Sequence, residues 1–273
     1  MEEKYSSILE IPCFMFDCNE ELRPAAFMDI AQQLAAKGSE QLGIADQDLA
    51  KYGLVWILAR MTVEFDTLPR RRDSAAVSTW HRGTSSLFFL RDYLMSPIIN
   101  DSPSVNNTQS SKPLIKASSS WVLMDLKTRT VVRPDNLPNG IDTSVQNPEA
   151  VLTSLNGSPY NCGKIILPRE ASLKEIGSHK VVYSDLDYNG HANNAKYTVW
   201  ALDSLPFDYV RNHPVRRIEI NFNKEAPLGE TVHFYHAELS PDTHLLEGRS
   251  GDSQIFITKL IFGPSSDCSP LSA

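Results

Sequence analysis

Asp187-Tyr188-Asn189-Gly190-His191-Ala192-Asn193-Asn194 ends where a helical pattern begins, and a shorter echo, Asp17-Cys18-Asn19-Glu20-Glu21, precedes an earlier helical pattern. In the later helix, Asn193–Leu205, the residues Ala195, Val199 and Leu202 fall at i, i+4 and i+7, and Pro206 stops the run. In the earlier one, Phe27, Ile30, Ala31 and Leu34 make one apolar face. Pro24 suits its first turn, and Gly38 or Gly43 can end it after roughly 15–19 residues, about 25 Å. Laying Phe27 on Tyr197 superimposes the two loops, and laying Val63 on Ile220 puts Leu68 over Glu225.

Each helix is followed by a run of strand-like segments rich in β-branched and aromatic residues. The first run is Val55–Phe65, Ala75–Trp80, Leu87–Leu94, Leu114–Met124 and Thr130–Arg133. The second has a short strand, Val181-Val182-Tyr183, before its loop, then Val215–Phe222, Thr231–Leu239, His244–Gly248 and Gln254–Phe262. A helix followed by successive antiparallel strands is the α+β arrangement in which a sheet wraps the helix. Its recurrence predicts a duplication: an N-terminal domain over residues 1–145, a linker over 146–172 and a C-terminal domain over 173–273. Asn100 to Lys112, NDSPSVNNTQSSK, has almost nothing to bury and is expected to be a mobile loop. Pro134 to Gly163, with its Pro, Gly and Asn clusters, reads as the connection between domains, its apolar islands packing on the surface.

The 273 residues suffice for two domains, and 41% hydrophobic with 22% charged residues is ordinary for a globular protein. A net charge of −7 argues against general nucleic-acid binding, which needs a basic face. Cys13, Cys18, Cys162 and Cys268 show neither CxxC spacing nor paired histidines, so neither a zinc site nor a disulfide framework is expected. No stretch approaches the ~20 apolar residues that span a bilayer, so no membrane insertion is expected. Met1 to Tyr5 is polar, without the apolar core of a signal peptide, and the expected location is the cytoplasm.

The polar residues before the second helix can do chemistry. A helix N-terminus offers backbone N–H groups and the positive end of a dipole, both suited to a developing oxyanion. His191 exchanges a proton near neutral pH, and the Asn189 amide can position a carbonyl or a water. A plain turn would account for Asp187 and Asn189, and a cap for Asn193, but a turn requires no histidine.

Asp187-x-Asn189-x-His191-x-Asn193-Asn194-x-x-Tyr197-x-x-Trp200, with a half-match in Trp56-x-Leu58-x-Arg60, resembles the acyl-acyl-carrier-protein thioesterases, the plant-type chain terminators of fatty-acid synthesis and their bacterial relatives. The run Ala117-Ser118-Ser119-Ser120-Trp121-Val122-Leu123-Met124-Asp125 with Thr128-Arg129 is similar to the strand pair closing that family's first domain. The resemblance implies two tandem hotdog domains and hydrolysis of a fatty acyl thioester without metal or organic cofactor. It also implies an acyl carrier protein as partner. The family's catalytic Asp, Asn and His fall on Asp187, Asn189 and His191. Its catalytic Glu falls on Glu225, within Asn223-Lys224-Glu225-Ala226-Pro227. Plant members usually have Cys after that Glu; Ala226 stands here, which favours a carboxylate and water over a thiol nucleophile. The transit peptide of plant members is not seen, so a bacterial-type cytoplasmic protein is expected.

In the first half Glu21 replaces the histidine and Leu68 the glutamate, so this copy resembles one that kept the fold and lost the site. Phe27, Trp56, Phe88 and Phe89 would shape its acyl pocket, or else serve as plain core. Arg70-Arg71-Arg72 would be a docking patch for an acidic carrier protein, or else a solvated turn; Lys196, Arg216 and Arg217 could add to it. Two fused domains already form a pseudo-dimer, which leaves a homodimer of the whole chain open. Two other functions compete: an acyl-CoA thioesterase of the hotdog fold, and a non-catalytic acyl-binding module.

Overall fold

The computed structural model describes residues 3–98 and 112–265. The expected loop at Asn100 to Lys112 therefore lies almost wholly outside the described residues, as does Cys268. The chain divides into two compact units, Met1–Phe14 with Asp29–Cys162, and Met15–Met28 with Gly163–Ala273.

In the first unit β1 (Lys4–Glu10), β2 (Leu54–Phe65), β3 (Ser74–Ser85), β4 (Phe88–Pro97) and β5 (Ile115–Asp125) pair antiparallel in the order β1-β3-β4-β5-β2. A short β6 (Thr130–Val132) pairs with β5. Helix α1 (Pro24–Leu42) reaches to Gly43, which takes φ +71°. The alternative stop, Gly38, lies inside the helix: a Cβ there would come within 2.5 Å of Arg91 Nη1, so the absent side chain makes room for a buried guanidinium. Arg91 donates to Thr79 Oγ1 and Ser39 Oγ, holding the helix on the sheet. The helix α2 (Asp46–Ala50) caps a core of Leu49, Leu54, Phe89 and Leu123, with Trp56 and Trp121 against it.

The second unit repeats this plan. The strands are β7 (Lys174–Lys180), β8 (Val215–Phe222), β9 (Thr231–Ser240), β10 (Thr243–Ser250) and β11 (Ser253–Phe262). They pair antiparallel as β7-β9-β10-β11-β8, the same order as in the first unit. Helix α3 (Asn194–Asp203) buries Tyr197 and Trp200 against Phe222, Phe234 and Phe256, and α4 (Phe207–Asn212) follows Pro206. Gly248 is obligatory in β10, because a Cβ would overlap the Phe256 ring.

Two expectations need correction. The strand expected at Val181–Tyr183 lies earlier, at Lys174–Lys180, where the polar sequence KEIGSHK hides its period on a largely exposed edge strand. Val181 still exchanges backbone bonds with Gly229 and Glu230, but the chain then turns. The polar β1 escaped for the same reason, as did the short α2 and α4. The presumed linker is also more than a connection with surface islands. Leu152 and Cys162 are buried, and residues 147–161 are strapped to β3 and β4. Trp80 Nε1 donates to the Glu149 carbonyl at 2.9 Å, Arg82 Nη2 to the Tyr160 carbonyl at 2.9 Å and to Asn161 Oδ1 at 2.6 Å, and Val151 N–H to Asp92 Oδ2 at 3.0 Å. Asp92 also faces Arg82 Nε at 3.5 Å and accepts from Ser118 at 2.7 Å. The serine-rich stretch of β5 is thus the polar lining of a buried network.

His81 belongs to this network, its Nδ1 3.1 Å from the Leu90 carbonyl. Burial first, and the Arg91 charge second, hold its imidazole at a pKa of about 4 against the ordinary 6.5. The unfolded chain binds that proton more readily, so the stability is complete above pH 6.5 and is lost as pH falls toward 4, on the order of 3 kcal/mol in all. His81→Gln, which cannot protonate, is expected to flatten the fall in melting temperature between pH 7 and 4.5. An unchanged slope would place the acid sensitivity elsewhere.

Candidate active site

The segment between β7 and α3 is built by its own side chains. A 3-10 turn at Tyr183–Asp185 leads to Asp187, whose Oδ1 accepts the Asn189 N–H at 2.8 Å. Asp187 N–H donates to the His191 carbonyl at 2.9 Å and Gly190 N–H to the Asp187 carbonyl at 3.1 Å, with Gly190 at φ +79°. Such a φ strains most side chains, which is why glycine stands there. Asn193 caps α3 by accepting from Ala195 N–H at 2.8 Å.

Asp185 ties this turn to the helix. Its carbonyl accepts from Asn193 N–H at 2.8 Å, and its buried carboxylate meets His179 Nε2 at 2.7 Å, Val182 N–H at 2.9 Å and Lys196 Nζ at 3.8 Å. Burial alone would raise its carboxyl; the bonds from His179 and Val182 and the charges of His179 and Lys196 outweigh it and hold the group below the usual carboxylate range. Sequence reasoning missed Asp185 and His179, and placed Lys196 only as a docking charge. The one signal available was a third carboxylate two residues before Asp187.

The first copy folds its loop the same way. Asp17 Oδ1 accepts from Asn19 N–H at 2.8 Å, Asp17 N–H donates to the Glu21 carbonyl at 2.8 Å, and Glu20 N–H donates to the Asp17 carbonyl at 3.1 Å with φ +59°. Every residue pair in this correspondence obeys the alignment of Phe27 with Tyr197. The Asn19 amide, however, is spent on the Arg211 carbonyl at 2.8 Å, whereas Asn189 stands exposed.

Glu225 arrives from the far end of β8. Asn223 and Lys224 donate to the Ile255 carbonyl, as Asp66 and Thr67 donate to Leu114 in the first copy, which puts Leu68 at the place of Glu225. Ala192 N–H donates to the Ala226 carbonyl at 3.0 Å, and His191 bridges Pro227. His191 Nε2 then lies 3.4 Å from Glu225 Oε2, the side chains 36% and 40% exposed. A carboxylate and an imidazole in contact and open to water can pass a proton between a water and a leaving group.

One expectation about the helix terminus changes. The amides of Asn189, Gly190, Ala192, Asn193, Ala195 and Lys196 all donate to protein acceptors. An oxyanion facing this turn would have to compete for them, and the helix dipole and polar side chains remain to receive it.

Of the other residues, Phe27 is fully buried and Phe89 lies in the α2 core, edge-on to Trp56 at 4.9 Å. Phe88 lies beneath the Arg60 guanidinium. Arg70, Arg71 and Arg72 are exposed on the turn between β2 and β3, closed by Asp73 onto Arg70 N–H at 2.7 Å. Arg217 pairs with Glu219 at 2.8 Å. Cys13 and Cys18 are exposed thiols, while burial pushes the Cys162 thiol up to about 11. Among the described residues no group of three or more His, Cys, Asp or Glu could hold a metal, and no helix is long and apolar enough to cross a membrane.

The chain is similar to known proteins in both sequence and fold. Residues 2–137 match the family described as acyl-ACP thioesterase N-terminal domain, and residues 169–258 match acyl-ACP thioesterase C-terminal domain. A chloroplastic palmitoyl-acyl carrier protein thioesterase of Gossypium hirsutum is 26% identical over 184 residues, 67% of this chain and 41% of that protein. A chloroplastic oleoyl-acyl carrier protein thioesterase of Coriandrum sativum is 22% identical over 237 residues, 84% of this chain and 61% of that protein. The chain thus spans about half the length of these relatives. Among solved structures, a 12:0-ACP thioesterase from Umbellularia californica superposes with a TM-score of 0.79 at 16% identity, covering 97% of this chain and 99% of that one. An acyl-ACP thioesterase from Bacteroides thetaiotaomicron gives 0.74 at 21% identity, covering 95% and 98%. The fold is therefore the tandem hotdog expected from the sequence.

Proposed function

The chain belongs to the acyl-ACP thioesterase family, and from that premise we propose that it hydrolyses fatty acyl-acyl carrier protein thioesters to free fatty acid and carrier protein. The observation that carries this reading is the contact of His191 with Glu225 at 3.4 Å, beside the Asp187 turn. The first copy has no counterpart of either group, with Glu21 and Leu68 in their places. We accordingly assign the chemistry to residues 173–273 and the shaping of the acyl pocket to residues 1–145; of the stretch 146–172, the part up to Cys162 belongs to the first compact unit and the rest leads into the second. Three described thiols without disulfides suit a reducing compartment, which supports a cytoplasmic location.

In this mechanism Glu225 takes a proton from a water, and the water oxygen bonds to the thioester carbon. The carbonyl π electrons move onto oxygen, which is received by the exposed Asn189 amide in the field of the α3 N-terminus. Collapse breaks the C–S bond, and the departing sulfur takes the proton from Glu225, directly or through His191. Asp187 keeps Asn189 and His191 in place by holding the turn. The thioester is already activated, so these groups suffice.

Turnover of a panel of acyl carrier protein and acyl-CoA thioesters tests the reading and distinguishes the two substrate classes. Asp187→Ala and His191→Ala are expected to lose ~10²–10⁴ in rate, and Asp17→Ala and Glu21→Ala to stay within a few fold. Equal losses in both copies would reverse the assignment. Glu225→Gln should nearly abolish turnover with substrate still bound, while native thiol alkylation spares it. An active Glu225→Gln enzyme that alkylation inactivates would overturn the carboxylate mechanism.

The arginine turn supports a docking role on charge grounds, since an enzyme of net charge −7 meets an acidic carrier protein only through local positive charge. Reversing Arg70, Arg71 and Arg72 to Glu is expected to raise KM for the carrier-protein substrate and to reduce its salt sensitivity, with small thioesters little affected. If both substrate types respond alike, the arginines are a solvated turn.

A further inference from the structure

The 3-10 turn before Asp187 has a counterpart in the first copy, Cys13–Met15, and the two close alike. Asn193 N–H donates to the Asp185 carbonyl at 2.8 Å, and Arg23 N–H donates to the Met15 carbonyl at 3.0 Å. The backbone therefore needs no carboxylate at this place. The second copy has one all the same, its side chain only 5% exposed, and burying a charge is unfavourable unless partners are built for it.

The partners are built. Asp185 Oδ2 accepts His179 Nε2–H at 2.7 Å and Val182 N–H at 2.9 Å, and Lys196 Nζ lies 3.8 Å from Oδ1. The His179 ring also lies against Trp200 of α3, the centroids 4.8 Å apart. His179 sits opposite Val232 on β9, as Leu9 sits opposite Ala75 on β3. The alignment of Val63 with Ile220 carries Ala75 onto Val232, so Leu9 is the counterpart of His179. By the alignment of Phe27 with Tyr197, Met15 and Ala26 stand where the second copy has Asp185 and Lys196. Three apolar residues thus answer three ionisable ones, and the ionisable set is in the copy that holds His191 and Glu225. A fold common to both copies does not explain that difference.

The carboxylate joins β7 to the first turn of α3, on either side of Asp187, Asn189 and His191. We infer that Asp185 and His179 are positioning residues for hydrolysis, whose hydrogen bond clamps the two ends of this loop and so fixes the direction of Asn189 and His191. This rests on the thioesterase reading above.

The first copy supplies the test, because Leu and Met already fit its own strand and turn. The double variant His179→Leu with Asp185→Met removes the pair together in the full-length protein. Replacing a buried charged pair by apolar residues is often neutral for stability, so the melting temperature is expected to stay within a few degrees. A catalytic group misplaced by about 1 Å costs up to ~10²-fold, so kcat on an acyl carrier protein thioester is expected to fall roughly 10- to 100-fold. KM should stay within about twofold, because orientation is lost and binding is not. His179→Gln, whose amide still donates to Asp185, should keep kcat within a few fold, while His179→Leu alone should not. A double variant with unchanged kcat, a large fall in its melting temperature, or a Gln variant no better than Leu would each overturn the proposal. Wild-type protein inactive on every thioester would sink the thioesterase reading and this role with it. An active wild type beside an equally active double variant would sink only the role of Asp185 and His179.

Discussion

A single backbone stitch makes the site possible. The Ala192 N–H reaches the Ala226 carbonyl at 3.0 Å, and His191 bridges Pro227 beside it. These residues lie on different segments, one entering a helix and one leaving a strand, and neither side chain alone would find the other. Exposed as they are, His191 and Glu225 gain little from their own ion pair, which in water is worth at most about 1 kcal/mol. Their contact is held by the backbone around it, which buries Ala226 and fixes the direction of both chains.

The two copies show that this scaffold is independent of the side chains it presents. Both loops close with the same aspartate-to-amide bond and the same backbone pair, and both strand ends pin two amides on one carbonyl. Where the second copy presents histidine, glutamate and an exposed asparagine, the first has glutamate, leucine and an asparagine bonded to Arg211. A turn governed by local hydrogen bonds tolerates such exchanges, because the exchanged side chains are not the ones that close it.

Between β3, β4, β5 and residues 147–161 the protein uses polar groups as core. Arg82 and Asp92 face each other with side chains 3% and 0% exposed, and each also binds strap backbone. Removing one partner of such a pair typically costs about 3–5 kcal/mol, so the strap and the network depend on each other. Burial raises the Asp92 carboxyl against the pull of Arg82, Ser118 and Val151, which is the cost of enclosing a charge there.

The order of elements, the duplication and the residues of the candidate site were legible in the sequence. Strand and helix periods are local properties, and Asp187, Asn189 and His191 sit within one short loop that folds on its own hydrogen bonds. Glu225 was legible through the family likeness, not through any local pattern. What only the tertiary structure decided are long-range matters. The polar strands Lys4–Glu10 and Lys174–Lys180 take their conformation from β3 and β9, not from their own period. The Pro- and Asn-rich stretch before Cys162 looked like a tether because its own side chains offer little to bury, yet its backbone is held by Trp80, Arg82 and Asp92. Asp185 and His179, six residues apart, meet only because the chain reverses between them. Sequence pattern reports what a segment does with its neighbours in the chain; a hydrogen bond to a distant carbonyl leaves no period to read.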